Sequence, residues 1–231
     1  MSPEENFKFI NSYLKKMSPV IEKNNGFIDK FIGDAIMAIF HLPEEGLKAS
    51  IQMIEELQAL NEGRNNAGYR PLRIGIGLNT GMLMMGTIGH EDRLSTTVIG
   101  DTVNLSARLE SLTKEYFTPI LVSEFTMINL PEKEKEFLRE VDSVIVKGKT
   151  NAVKIFECFA NDSEDLKIQK KKCIKEFTEA VSFLEAEDYV TALDKFLKLK
   201  DILVGDVILS FHIIRCQEMI DSMKKRAKVA S

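Results

Sequence analysis

Apolar residues recur along the first 160 positions at two alternating spacings, one helical and one strand-like, and the mixture predicts an α and β fold. Phe7, Ile10, Leu14, Met17 and Ile21 fall at helical intervals. Ser2 with Glu5 makes a capping box ahead of them, and Pro3 takes the first helical position, where proline is tolerated. Pro19 should bend the last turns, and the helix should stop by Asn24-Asn25-Gly26, with the glycine in the left-handed cap. Phe27-Ile28-Asp29-Lys30-Phe31, a tight Ile32-Gly33-Asp34 turn and the apolar run 35–40 read as a β-hairpin. A second helix is expected from 44 to about 67, with Leu47, Ile51, Ile54, Leu57 and Leu60 on one face.

Over 73–78 isoleucine and leucine alternate with arginine and glycine, the period of a strand with one bare face that another backbone or a ligand can approach closely. Gly81 and Gly86 frame a further strand, which puts Met82, Met84 and Met85 in the core or on a dimer surface. A helix should run from 101 through 112, with strands at 120–122, 144–146 and 153–159. From Ala160-Asn161-Asp162-Ser163 onward only helical spacing remains, so the domains read as 1–160 and 161–231. Within the second, 177–199 pairs two short amphipathic helices across Glu187-Asp188. Ala180, Tyr189, Ala192 and Phe196 stand where a tetratricopeptide-like hairpin has its packing positions. One such unit is too few for a solenoid and should dock on the first domain or on a partner.

Composition narrows the functional classes. With 231 residues, 44% hydrophobic and 29% charged, the chain has a globular make-up rather than that of a disordered tail or a fibre. Its 31 basic and 35 acidic residues leave a net charge of −4, which offers no field for nucleic acid. Beyond residue 160 the two signs balance at 13 each, and Lys224-Lys225-Arg226 reads as a solvated helix end. Cys158, Cys173 and Cys216 lack metal-knuckle or redox spacing and fit a reducing compartment, while His41, His90 and His212 are scattered singletons. No apolar run reaches the ~18 residues needed to cross a bilayer, and the N-terminus has no signal pattern, so the expected location is cytoplasmic, without membrane contact.

Three local constellations could carry chemistry. The hairpin tip, 29–34, raises two carboxylates and an ammonium beside a glycine turn. A carboxylate there suits Mg²⁺, which takes one or two protein carboxylates beside substrate phosphates; ordinary turn chemistry explains the same residues. In 97–108, Asn104 and Arg108 are four apart on one helix face, able to grip one ligand, with the arginine fork suited to phosphate. The plain alternative has Asp101 capping the helix and Arg108 pairing with Glu110 or Glu115. In Val146-Lys147-Gly148-Lys149, two lysines around a glycine turn suit a polyphosphate, or form a basic turn of no function.

Taken in order, FIDKFIGDAIMAIF, LRIGIGLNTG, TVIGDTVNLSARLE and VKGK before KIFECF resemble the class III adenylate and guanylate cyclase catalytic domain over roughly residues 1–160. The helical hairpin beyond is similar to the short helical extension behind many bacterial members. The resemblance implies a ferredoxin-like α+β domain that dimerises head to tail, with its active sites between two catalytic domains. There the ribose 3′-hydroxyl of ATP attacks the α-phosphate, giving cyclic AMP and pyrophosphate. Asp34 matches the second of two aspartates that hold a pair of Mg²⁺ or Mn²⁺ ions. Lys30 and Thr97 match the base-reading positions, where lysine donates to adenine N1 and threonine accepts from its amino group. Asn104 matches the residue that orients the ribose, Arg108 the one that stabilises the pentavalent phosphorus, and Lys147 the one that holds the terminal phosphates.

The family's opening pattern, Phe-x-Asp-Ile-x-Gly-Phe, is absent, and no aspartate precedes Asp29. With it go the first metal aspartate and a central strand, which should leave apolar faces and strand edges bare. The expectation is that Met1 is an internal methionine of a longer protein. In a homodimer both sites would lack one aspartate, whereas a heterodimer with a complete cyclase would keep one site, using Lys30, Thr97, Asn104, Arg108 and Lys147 from this chain. The rivals are a guanylate cyclase and a catalytically incomplete module that dimerises with a true cyclase.

Overall fold

A computed structural model describes residues 3–90, 93–145 and 152–230; Ser2 and Lys147 lie outside them. Helix α1 (Pro3–Lys23) continues through Pro19 without interruption and buries Met17 and Ile21 against Met53 and Leu57 of α2 (Pro43–Asn66). Glu45 anchors the start of α2 by accepting the Leu42 N–H at 3.1 Å. Between the helices, β1 (Phe27–Ile32) and β2 (Ala35–Ile39) form the expected antiparallel hairpin. Gly33, at φ +65°, fills the first central position of its two-residue turn, which a II′ turn reserves for glycine.

The residue that ends α1 in the left-handed region is Asn25, at φ +60°, and not Gly26. Asparagine tolerates that region, and Gly26 is needed for space: a Cβ there would lie 2.5 Å from the Phe40 ring.

The main sheet has the order β3-β6-β8-β7. Strand β3 (Ile76–Leu78) runs parallel to β6 (Ile120–Ser123), and β8 (Ala152–Cys158) is antiparallel to both β6 and β7 (Leu138–Ile145). Strand β3 is shorter than its sequence pattern because its ladder exists on one side only. Pairing begins where the Ile76 N–H meets the Pro119 carbonyl at 2.8 Å, and 73–75 have no strand beside them among the described residues.

The hairpin is a separate sheet, yet it lies beside β3 on α2: a Cβ at Gly46 would come 3.3 Å from Phe40 and 3.5 Å from Leu78. A third sheet pairs β4 (Met84–His90) with β5 (Arg93–Ile99). Met82 and Met84 are 94% and 76% exposed, and Met85 is also exposed, which removes the core reading of these methionines. The architecture is α+β, as expected.

Helix α3 (Asp101–Leu112) lies on the glycine face of β3. A Cβ at Gly77 would fall 2.2 Å from the Ser106 carbonyl oxygen and one at Gly75 2.0 Å from Thr113 Oγ1, so the bare strand face serves a helix backbone. Short helix α4 (Glu124–Asn129) follows β6, with Ser123 accepting the Thr126 N–H at 3.2 Å.

After β8 the chain is helical: α5 (Glu164–Lys172), α6 (Ile174–Glu185), α7 (Tyr189–Leu199) and α8 (Val207–Ala230). Phe177, Ala180, Ala192 and Phe196 share one core with Leu105, Leu109, Leu121, Val141 and Ile155, so the helices pack on the sheet and on α3. Among these apolar groups sits a buried charge cluster. Arg139 of β7 donates through Nε to Glu157 of β8 at 2.6 Å, pairs with Asp206 at 2.7 Å, and stacks 3.7 Å over the Phe177 ring, while Lys170 of α5 meets Glu157 at 2.8 Å. Burial opposes the charge on Arg139, but Glu157 and Asp206 outweigh it and hold its pKa above the ordinary value.

His212 of α8 is fully buried and stacks on Phe196, with ring centroids 5.1 Å apart. Burial pushes its pKa down from 6.5 to about 4; Asp142 opposes the shift and Arg215 and Arg139 add to it. The folded protein therefore keeps the imidazole neutral, while the unfolded chain takes up a proton as the pH falls through 6.5. Stability should decline between pH 6.5 and about 4, by at most about 3 kcal/mol from this group, and no further below that. Urea midpoints of the chain and of His212→Phe at pH 7 and pH 5 check this: the acid sensitivity of the unsubstituted chain should exceed that of the variant, and equal slopes would refute it.

Candidate active site

The hairpin presents its two candidate residues differently from their sequence reading. Strand β1 carries a bulge: Ile28 pairs with Ala38 and Lys30 with Met37, leaving Asp29 as the extra residue. Its carboxylate is 3% exposed, with Oδ2 3.2 Å from Lys30 Nζ, so the tip raises one carboxylate to solvent rather than two. That one is Asp34, exposed in the turn. It lies close enough to α1 that its charge adds to burial in pushing the Tyr13 phenol up to about 12. Bulges re-aim side chains, and this one gives the ammonium of Lys30 a buried anionic neighbour.

The second group stands on α3. Asn104 and Arg108 are both exposed, four residues apart, and neither has a hydrogen-bond or ion-pair partner among the described residues. The plain alternative is not what the helix does: Glu110 faces Lys114 at 3.9 Å, and no side chain caps the N-terminus at Gly100.

Helix α3 is secured all along its length. At its start the Thr102 hydroxyl donates to the Met82 carbonyl at 2.8 Å. The Asn79 amide donates to the Thr102 carbonyl at 3.0 Å and accepts from the Ser123 hydroxyl at 2.7 Å. Gly75 and Gly77 admit its middle. Beyond its end, the Tyr116 hydroxyl donates to Asp142 at 2.6 Å. Thr97 lies on β5 opposite Gly86, three residues before α3 is entered through Gly100.

A cleft of about 540 Å³ opens between α3, β7 and α8, and Arg108 and Arg215 both line it. The approach of α8 to a candidate catalytic arginine had no sequence signal, since the residues that bring it there are separated by tens of positions. Asp34 offers a single exposed carboxylate, and among the described residues no cluster of three metal-ligating side chains forms. That donor set fits an ion held largely by substrate phosphates and water, the usual manner of Mg²⁺.

Residues 1–159 match the family model described as the adenylate and guanylate cyclase catalytic domain. This chain belongs to that family. It is 37% identical over 225 residues to the terminal-differentiation specific adenylate cyclase of Dictyostelium discoideum, covering 94% of this chain and 10% of that protein. It is 43% identical over 167 residues to an adenylate cyclase of Anabaena cylindrica, covering 68% and 33%. The chain thus spans a tenth to a third of the length of these curated relatives.

Among solved structures, the adenylyl cyclase CyaB from P. aeruginosa superposes with a TM-score of 0.59 at 29% identity, covering 68% of this chain and 83% of that one. A guanylyl cyclase crystal structure does so with 0.58 at 32%, covering 68% and 81%. Both nucleotide types are represented, so the shared cyclase fold does not select the base. The Dictyostelium match is long enough to run past residue 159 into the C-terminal helices. No described helix is long and apolar enough to cross a membrane.

Proposed function

We propose that this chain is an adenylate cyclase domain that forms 3′,5′-cyclic AMP and pyrophosphate from ATP, in a homodimer or in a heterodimer with another cyclase domain. The observation that carries the reading is the pair Asn104 and Arg108, unpartnered on one face of a helix held along its length. Membership of the cyclase family supports it, as do two relatives named as adenylate cyclases.

In the reaction the ribose 3′-hydroxyl gives up its proton to solvent as its oxygen bonds to the α-phosphorus; the bond from that phosphorus to the bridging oxygen breaks, and pyrophosphate leaves with its electron pair. Asn104 orients the ribose, and Arg108 balances the charge that gathers on the pentavalent phosphorus. Lys30 donates to adenine N1, Thr97 accepts from the exocyclic amine, and Lys147 holds the terminal phosphates. Asp34 supplies a carboxylate to Mg²⁺ or Mn²⁺, whose chemistry here is neutralisation of phosphate charge.

The test is turnover of ATP and of GTP with Mn²⁺. It is run on the chain alone and on the chain mixed with a complete cyclase carrying alanine at the position equivalent to Arg108. Cyclic AMP should be the main product, and Lys30→Glu should shift the ATP-to-GTP ratio by about 10- to 100-fold toward GTP, the worth of one buried hydrogen bond gained or lost. A native preference for GTP would overturn the roles of Lys30 and Thr97. No product in either setting would favour the catalytically incomplete dimerisation module.

A further inference from the structure

Tyr116, Asp142 and Arg215 join three elements that lie far apart in the chain. Tyr116 stands four residues beyond the last residue of α3 and is tied to it by its own backbone, its N–H reaching the Leu112 carbonyl at 3.0 Å. Its ring packs edge to face on Phe211 of α8 with centroids 5.3 Å apart, and its hydroxyl donates to Asp142 Oδ2. Arg215, one turn along α8 from Phe211, pairs with that same oxygen. Asp142 Oδ1 accepts the Ser143 N–H at 2.8 Å, so both carboxylate oxygens are engaged.

Asp142 reaches this position because β7 is bulged. Glu140 pairs with Phe156 and Asp142 with Ile155, leaving Val141 as the extra residue. Strict alternation would turn Asp142 away from the face that Arg139 and Val141 present to the helices, and the extra residue turns it back. The C-terminal end of α3 is therefore fastened to α8 through a strand residue placed by an irregularity in the ladder. Farther along the same helix stand Asn104 and Arg108, and Arg108 and Arg215 share one cleft.

We propose that Arg215 is a positioning residue for the cyclase reaction, acting through Asp142 and Tyr116 to hold α3 where Asn104 and Arg108 meet the nucleotide. The inference rests on the adenylate cyclase reading for its catalytic consequence, and on the triad alone for its mechanical one. The C-terminal helices then belong to the catalytic machinery: a movement of α8 reaches α3 by a buried oxygen shared between two donors. Burial works against the Arg215 charge and Asp142 outweighs it, which holds the Arg215 pKa above its ordinary value.

Hydrogen exchange and turnover of the full chain test this with Arg215→Gln, Arg215→Lys and Tyr116→Phe, the last removing one hydroxyl and leaving the ring packing. In Arg215→Gln and Tyr116→Phe, amides over 109–116 should exchange about tenfold faster while those of β7 and β8 keep their rates. In the turnover assay kcat should fall about 10- to 100-fold with KM for ATP within about twofold, and Arg215→Lys should recover part of it. Unchanged exchange over 109–116 overturns the proposal, as does faster exchange spread equally over β7 and β8, which would mark Arg215 as a general stabiliser. So does altered exchange with an unchanged kcat. If the unsubstituted chain turns over no nucleotide in any setting, the cyclase reading fails, and the exchange result still decides the fastening of α3.

Discussion

Arg139→Ala should lower the unfolding free energy by about 3–5 kcal/mol, the usual result of removing one member of a buried, hydrogen-bonded ion cluster. Arg139 is fully buried, and its guanidinium serves Glu157 and Asp206 while sitting over the Phe177 ring. Taking it away leaves three carboxylates, the buried Glu157 and Asp206 together with Asp162, to the one ammonium of Lys170. Arg139→Lys should recover little, because an ammonium lacks the planar, bidentate fork of the guanidinium and does not stack on the ring in the same way. Urea denaturation at pH 7 provides the measurement. A loss under about 1 kcal/mol would mean that the cluster contributes no more than an exposed pair.

Arg108→Ala should have the largest effect on activity: kcat lower by about 10²- to 10³-fold, as when a single donor aimed at developing negative charge is deleted. Stability should hardly change, because the side chain is exposed and has no partner among the described residues. Turnover with Mn²⁺ and ATP, in whichever setting the unsubstituted chain is active, measures the first effect and a thermal melt the second. A kcat within about threefold of the original would remove Arg108 from the reaction, since a group that stabilises the phosphorus cannot be so dispensable.

Much of the architecture was legible because its elements obey simple periods. The helix expected over 101–112 has those bounds, and the hairpin, the second helix and the helical pair about Glu187 lie where apolar spacing and turn residues put them. Strand β7 was mostly hidden, only its end being expected. Its buried positions include Arg139, Glu140 and Asp142, each satisfied by a partner distant in sequence, so the strand reads as a polar loop. The bulge at Val141 breaks alternation as well.

At the candidate site, the residue types at 30, 34, 104 and 108 could be read from the chain. Their environments could not. The burial of Asp29 follows from one extra residue in β1, while Glu110, two residues on from Arg108 and on another face of the helix, goes to Lys114 instead. Ladder register and cross-element pairing decide these matters, and local sequence does not carry them.

The hairpin and β3 lie side by side on α2 with no ladder bond between them among the described residues. Lys30 and Asp34 ride on one side of that seam, and α3, with Asn104 and Arg108, on the other. Side chains from both, Ile28, Ile36 and Phe40 on one side and Ile74 and Ile76 on the other, pack on the one cluster that α1 and α2 bury. The spacing between the two groups of candidate residues is therefore set by apolar packing against α2, and a change of volume at Met53 or Leu57 would be felt at both.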